Sequence, residues 1–128
     1  MALNVSIREL AKKKTTLFAL GQNRDKLETK ELIDKYPRGV HITDVECFIG
    51  KNDKGEEEPL WVYVTEEEPE YFSFAGYVLR SIFEELLACF EGDYEAMYKE
   101  FKEEGGLNVR LYKQKTKSGY EVTAVEVL

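Results

Sequence analysis

The sequence predicts an α+β domain that is mainly β, and three features carry that prediction. Period-two alternation of apolar and polar residues recurs in five stretches after residue 40, as expected of strands with one buried face. One wide apolar stripe at helical spacing, Val78, Leu79, Ile82, Phe83, Leu86, Leu87 and Phe90, falls between the third and fourth of them. The last two stretches flank Lys117-Ser118-Gly119, a Gly-containing turn that marks a β-hairpin.

Taken in order, Ser6 and Glu9 have capping-box spacing and predict a helix over 7–13, with Lys12, Lys13 and Lys14 at its favourable C-terminal end. Residues 15–20 predict a short strand closed by Gly21, 22–26 a loop, and Thr29 the start of a short helix that Pro37 stops. Within 40–49, Val40 and Ile42 lie on one parity, whereas Val45, Cys47 and Ile49 lie on the other. The phase change at Thr43-Asp44 predicts a bulge in a long bent strand, a feature of small closed barrels. After a charged turn at 50–59, Leu60, Val62 and Val64 alternate with Trp61, Tyr63 and Thr65. A turn at 66–70 leads to a further strand at 71–74. Gly92 breaks the long helix, and Asp93 caps a second one built on Tyr94, Met97, Tyr98 and Phe101. Gly105-Gly106 then delivers the chain to the hairpin.

Three strands, a helical tract and two strands make the order of an OB-fold-like five-stranded barrel, with helices between strands 3 and 4 and an added N-terminal helical segment. The expected organisation is one domain over 1–128, with 1–37 as the extension and 38–128 as the barrel. An open antiparallel sheet with helices on one face fits the same string.

A length of 128 residues suits one domain with its own core, and 43% hydrophobic residues with eight Tyr and seven Phe place it among globular chains. The net charge of −7 argues against binding polyanions over the whole surface. It does not oppose a local basic face, because fields at a surface are set within a Debye length of about 8 Å. Such a face is present in the sequence: between residues 105 and 120 the charges are Arg110, Lys113, Lys115 and Lys117, with no Asp or Glu among them. Cys47 and Cys89 lack metal-binding spacing and are expected to be buried reduced thiols, which suits a cytoplasmic protein. No apolar run approaches the roughly 20 residues of a membrane span, and the first 14 residues hold no signal-peptide core.

Catalytic patterns are weak. His41 is the single histidine and no Ser or Cys stands in a nucleophile setting. The acidic runs 56–58 and 66–68 have neither calcium-loop nor paired-carboxylate spacing, and no phosphate-cradling Gly loop occurs. The expectation is a non-enzyme without metal or cofactor.

Single strands are gripped by stacking bases on aromatic rings inside a cationic groove. Trp61, Tyr63 and Tyr112 lie on the parity assigned to the non-core face, and Arg110 shares the face of Tyr112, so these four are expected to form one platform; the alternative is that the N-terminal helices cover Trp61 and Tyr63. Lys113, Lys115 and Lys117 are the expected phosphate contacts. Over 38–128, the strand Leu60-Trp61-Val62-Tyr63-Val64, the approach Phe72-Ser73-Phe74-Ala75-Gly76 to the helix, and residues 113–127 resemble the small single-stranded DNA-binding proteins of bacteriophages and mobile elements. That resemblance implies an OB-fold and sequence-tolerant single-stranded DNA binding in replication or recombination, with self-association left open. The alternative is an acidic protein-interaction module or inhibitor of a mobile element, whose runs at 56–70 and 91–104 dock on a basic protein partner or mimic DNA.

Overall fold

The computed structural model describes residues 19–51 and 54–128. The helix expected at 7–13 and residues 15–18 of the first expected strand lie outside the described residues. Ala19–Gly21, where that strand was to end, form a 3-10 turn.

Among the described residues six strands form one sheet: β1 (Asp25–Lys26), β2 (Val40–Lys51), β3 (Glu57–Thr65), β4 (Tyr71–Phe74), β5 (Leu107–Lys115) and β6 (Glu121–Val127). Their spatial order is β1-β4-β3-β2-β5-β6, with β1 parallel to β4 and every other pairing antiparallel. Among the described residues three helices complete the fold: α1 (Thr29–Lys35), α2 (Tyr77–Cys89) and α3 (Tyr94–Glu103). The sheet curls into a half-barrel, so that α2 packs against β6 as well as β3. None of the described helices is long and apolar enough to cross a membrane.

The architecture is α+β as expected, but the sheet has six strands rather than five. The added strand, β1, lies where a loop was expected. It is held by non-local bonds that no local pattern announces: the Leu27 N–H donates to the Phe72 carbonyl at 2.8 Å, and the buried Ser73 hydroxyl donates to the Leu27 carbonyl at 2.8 Å. Leu27 and, from α1, Leu32 are buried in the main core, so the described residues just before Val40 are built into the fold rather than laid outside it.

The bulge falls at the expected place. The β2–β3 register jumps from Ile42↔Thr65 to Asp44↔Val64. One extra residue lets Val40 and Ile42 on one side of it, and Val45 and Cys47 on the other, all pack toward the same core. α3 pins the distortion. The Tyr98 hydroxyl donates to Asp44 at 2.8 Å, the Tyr94 hydroxyl donates to the Val45 carbonyl at 2.9 Å, and the Lys102 amine reaches the Thr43 carbonyl at 3.1 Å. Asp93 caps α3 by accepting the Ala96 N–H at 3.1 Å. His41 ties the start of β2 to the α3–β5 connection, its ring nitrogens meeting the Asn108 side chain at 2.6 Å and the Gly105 carbonyl.

Between sheet and helices lies a core of Trp61, Tyr63, Val45, Val109, Phe83 and Met97, among others. A second cluster, Leu20, Val62, Val64 and Phe72 with Phe48 against it, covers the opposite face. Glu46 closes that face by accepting the Ala19 and Leu20 N–H groups at 3.0 Å each. The cysteines are both free thiols, but they are not buried as expected: Cys47 is half-buried and Cys89, on the outer side of α2, is exposed.

Gly106 sits at φ +92, where an added Cβ would lie 2.1 Å from the Ile42 carbonyl oxygen; Gly105, at φ +82, faces open space. Gly105→Ala is therefore expected to cost about 1–2 kcal/mol from left-handed backbone alone, and Gly106→Ala about 1–3 kcal/mol more from the clash, read from urea midpoints. At alkaline pH a second test is available. Burial, and next the Asp44 carboxylate, hold the Tyr98 phenol up to about 12, and burial raises Tyr94 as well. A folded-state pKa above the unfolded value of about 10 means stability that is complete below pH 10 and is lost as pH rises toward 12. Tyr98→Phe should be less stable than wild type at pH 8, with the gap shrinking by pH 11.5.

Candidate nucleic-acid interface

Among the described residues the β5–β6 hairpin is the one basic element. Val109 and Leu111 point into the core, which sends Arg110 and Tyr112 to the opposite face. Beyond Tyr112 the hairpin outruns the core, and residues 113–122 are all exposed. Its tip is closed by hydrogen bonds instead of packing: Thr116 N–H to the Tyr120 carbonyl at 2.7 Å, Gly119 N–H to the Thr116 carbonyl at 3.0 Å, and Tyr120 N–H to the Thr116 hydroxyl at 3.2 Å. Gly119, at φ +86, supplies the left-handed residue of this turn.

The hairpin carries four cations against two carboxylates, Glu121 and Glu126. Arg110 stacks its guanidinium 4.2 Å from the Tyr112 ring centroid and pairs with Glu126 at 2.9 Å. Lys113 meets Glu121 at 3.6 Å. Glu121 stands opposite Lys115 in register but turns to Lys113, and among the described residues neither Lys115 nor Lys117 has an ion pair. Ion pairs at this exposure are worth about 0–1 kcal/mol, so a phosphate can displace them.

Trp61 and Tyr63 do not belong to this surface, which corrects the expected platform. Each is 1% exposed. Trp61 lies against Phe83 of α2 at 5.4 Å and Tyr94 of α3 at 6.2 Å, centroid to centroid, and its indole N–H has no hydrogen-bond partner among the described residues. Tyr63 donates to or accepts from Thr29 at 2.9 Å, and burial raises its pKa although hydrogen bonds to Thr29 and Ser73 pull the other way. The reason is two-sided cover. Helices take the Trp61 and Tyr63 side of β3, while Leu20 and Phe72 take the Val62 and Val64 side. Arg110 and Tyr112 thus share one face, with the two buried rings on the other side of the sheet.

The rings on that same outer face are Phe48, Phe72 and Phe74, which the site expected from the sequence leaves out. Phe74 packs 6.3 Å from Phe48 and 5.8 Å from Phe72, yet remains 37% exposed, and the Lys26 amine lies 5.6 Å from its centroid. No sequence signal marked Phe74; the cross-strand register, in which Phe74 pairs with Val62 and Ser73 with Tyr63, places it on this face. Phe74 borders a groove of about 430 Å³ where β6 comes close to β4 and the start of α1, lined by Lys26, Thr29, Lys30, Phe74, Gly76 and Thr123 among others. A larger cleft of about 580 Å³ beside Arg24 includes Asp25 and Glu70. Its Arg24 guanidinium is committed to the Pro69 and Leu20 carbonyls, which leaves little there to attract a phosphate.

The acidic runs are partly in structural use. Glu67 accepts the His41 N–H at 2.9 Å, Glu68 takes the Tyr36 hydroxyl and lies 3.7 Å from Lys35, and Glu58 pairs with Arg80 at 3.5 Å. The Glu68 carboxylate raises the Tyr36 pKa. Among the described residues no group of three or more His, Cys, Asp or Glu is placed to hold a metal ion.

Comparison with family models, with curated proteins and with solved structures finds no match for this chain.

Trp61 should emit as a buried indole, blue-shifted and poorly quenched by acrylamide, and Trp61→Ala should cost about 3–5 kcal/mol in urea denaturation. An emission maximum near that of free tryptophan would contradict the two-sided cover of β3.

Proposed function

We propose that the chain is a non-enzymatic, sequence-tolerant single-stranded DNA-binding protein of OB type, serving replication or recombination of a phage or mobile element. The observation that carries the proposal is the β5–β6 hairpin, where Lys115 and Lys117 project beyond the core with Tyr120 beside them and the Arg110–Tyr112 stack lies at the base. The order β2, β3, β4, helices, β5, β6 supports it, because in an OB barrel the loop between the last two strands is a usual ligand-binding element. In the same reading β3 and β4 are the barrel's second and third strands, whose outer face binds oligonucleotides and here carries Phe72 and Phe74.

The working parts are then Arg110, Tyr112, Lys113, Lys115 and Lys117, without Trp61 and Tyr63. Lysines release counterions as they take up phosphates, and Tyr112 offers a ring whose other neighbour is already a cation. A protein with net charge −7 does this only at short range, so affinity should depend steeply on salt. The acidic-module alternative is less favoured because Glu67 and Glu68 are bound within the fold.

Trp61 fluorescence is a poor reporter of such binding, and anisotropy of a labelled oligo-dT is the appropriate assay. Wild type should bind with a log-log salt slope that becomes shallower by about 1.4 in Lys115→Ala/Lys117→Ala, two phosphate contacts at roughly 0.7 each for single strands. No binding by wild type at low salt would end the proposal.

A further inference from the structure

The groove between β6 and β4 holds chemistry that the hairpin does not use. Its ring, Phe74, is 37% exposed in a fold that buries Trp61, Tyr63, Phe72 and Phe83 almost completely. Tyr77, one residue past the groove-lining Gly76, is 82% exposed. Two lysines stand at this groove: Lys26, 5.6 Å from the Phe74 centroid, and Lys30, exposed at the start of α1. One carboxylate, Glu28, also lines it and is engaged by the Lys26 amine at 3.2 Å. At about 430 Å³ the groove falls within the range of small-ligand clefts, roughly 300–1,000 Å³.

Its position links it to the hairpin. Thr123 forms one wall, and in the β5–β6 register Thr123 stands opposite Lys113, with Glu121 opposite Lys115 two residues farther out. Two residues along a strand are about 7 Å, a reach that neighbouring nucleotides of one strand can span. We propose that this groove takes a nucleobase of the bound single strand, stacked on the Phe74 ring, with Lys26 and Lys30 on the flanking phosphates. The inference rests on the single-stranded DNA reading and deepens it, by adding a stacking site to replace the one that Trp61 and Tyr63 do not provide.

The chemistry is consistent. A base has a π-face whatever its identity, so stacking on one phenyl ring tolerates sequence. As the base covers the ring, the Lys26 amine is displaced toward solvent, where it can exchange the exposed Glu28 carboxylate for a phosphate. Thr29 is already tied to the Tyr63 hydroxyl at 2.9 Å and to the Phe74 carbonyl, which fixes the groove wall before a ligand arrives.

The test uses the wild-type chain with an oligo-dT carrying 5-iododeoxyuridine, irradiated and mapped by peptide mass spectrometry, beside anisotropy titrations of Phe74→Ala and Lys26→Ala/Lys30→Ala. The expected results are an adduct at Phe74, at least about fivefold weaker binding in Phe74→Ala from the lost base stack, and a salt slope shallower by about 1.4 in the double lysine variant. Adducts confined to Tyr112 or Tyr120, with both variants binding like wild type, would overturn the groove while leaving the hairpin reading intact. Failure of wild-type protein to bind any oligo-dT would overturn both. The adduct is read on unaltered protein, so a folding defect in Phe74→Ala does not affect that readout.

Discussion

Five consecutive residues of β3, Trp61 to Thr65, are buried, and that double-sided burial is the constraint on which the molecule is built. A strand wet on one face needs one cover layer; a strand dry on both needs two. The helices supply the first layer through Phe83, Met97 and Phe101, and the turn at Leu20 with Phe48 and Phe72 supplies the second. Glu46 becomes intelligible in this light. A carboxylate at 7% exposure sits at the outer cover because it satisfies two backbone N–H groups of the turn that makes the cover.

The same constraint sorts what could be read from sequence. Features set by near neighbours were legible: the Asp93 cap, the stripe of α2, the turn ending in Gly119 and the bulge at Thr43-Asp44 all appear where spacing placed them. Alternation in β3 was legible too, but alternation states only that two faces differ. It does not say which is wet, and here neither is. Assigning Trp61 and Tyr63 to the open side was therefore a choice of parity that no local signal could correct. β1 was illegible for a related reason: Asp25 and Lys26 have no pattern, and their place is set by Phe72 and Ser73, distant in the chain.

Once the central strand is sealed, surface chemistry is driven to the margins of the sheet. β5 and β6 outrun the core, and that overhang lets Lys113, Lys115 and Lys117 stand clear of an acidic body. At the other margin β4 ends after Phe74 and β6 is not its hydrogen-bonded neighbour, so the curl leaves a groove rather than a closed wall. The outer-face rings and the basic hairpin are thus products of one geometric fact, that the half-barrel is tightly filled at its centre and incomplete at its edges.

The carboxylates on β6 then have a definite part in the proposed reading. Glu126 and Glu121 occupy Arg110 and Lys113 in the free protein, so a DNA strand gains at those two positions only the difference between phosphate and carboxylate as partner. Lys115 and Lys117, without ion pairs among the described residues, keep the whole interaction. On the proposed reading a gradient follows along the hairpin, with the tip binding first and the base engaging by exchange. Replacing Glu121 and Glu126 with uncharged residues would remove the competitor and raise the local field together, favouring tighter binding at the expense of release. If the proposed reading holds, the chain must release single strands as well as hold them, and paired cations beside unpaired ones are a physical means of doing both.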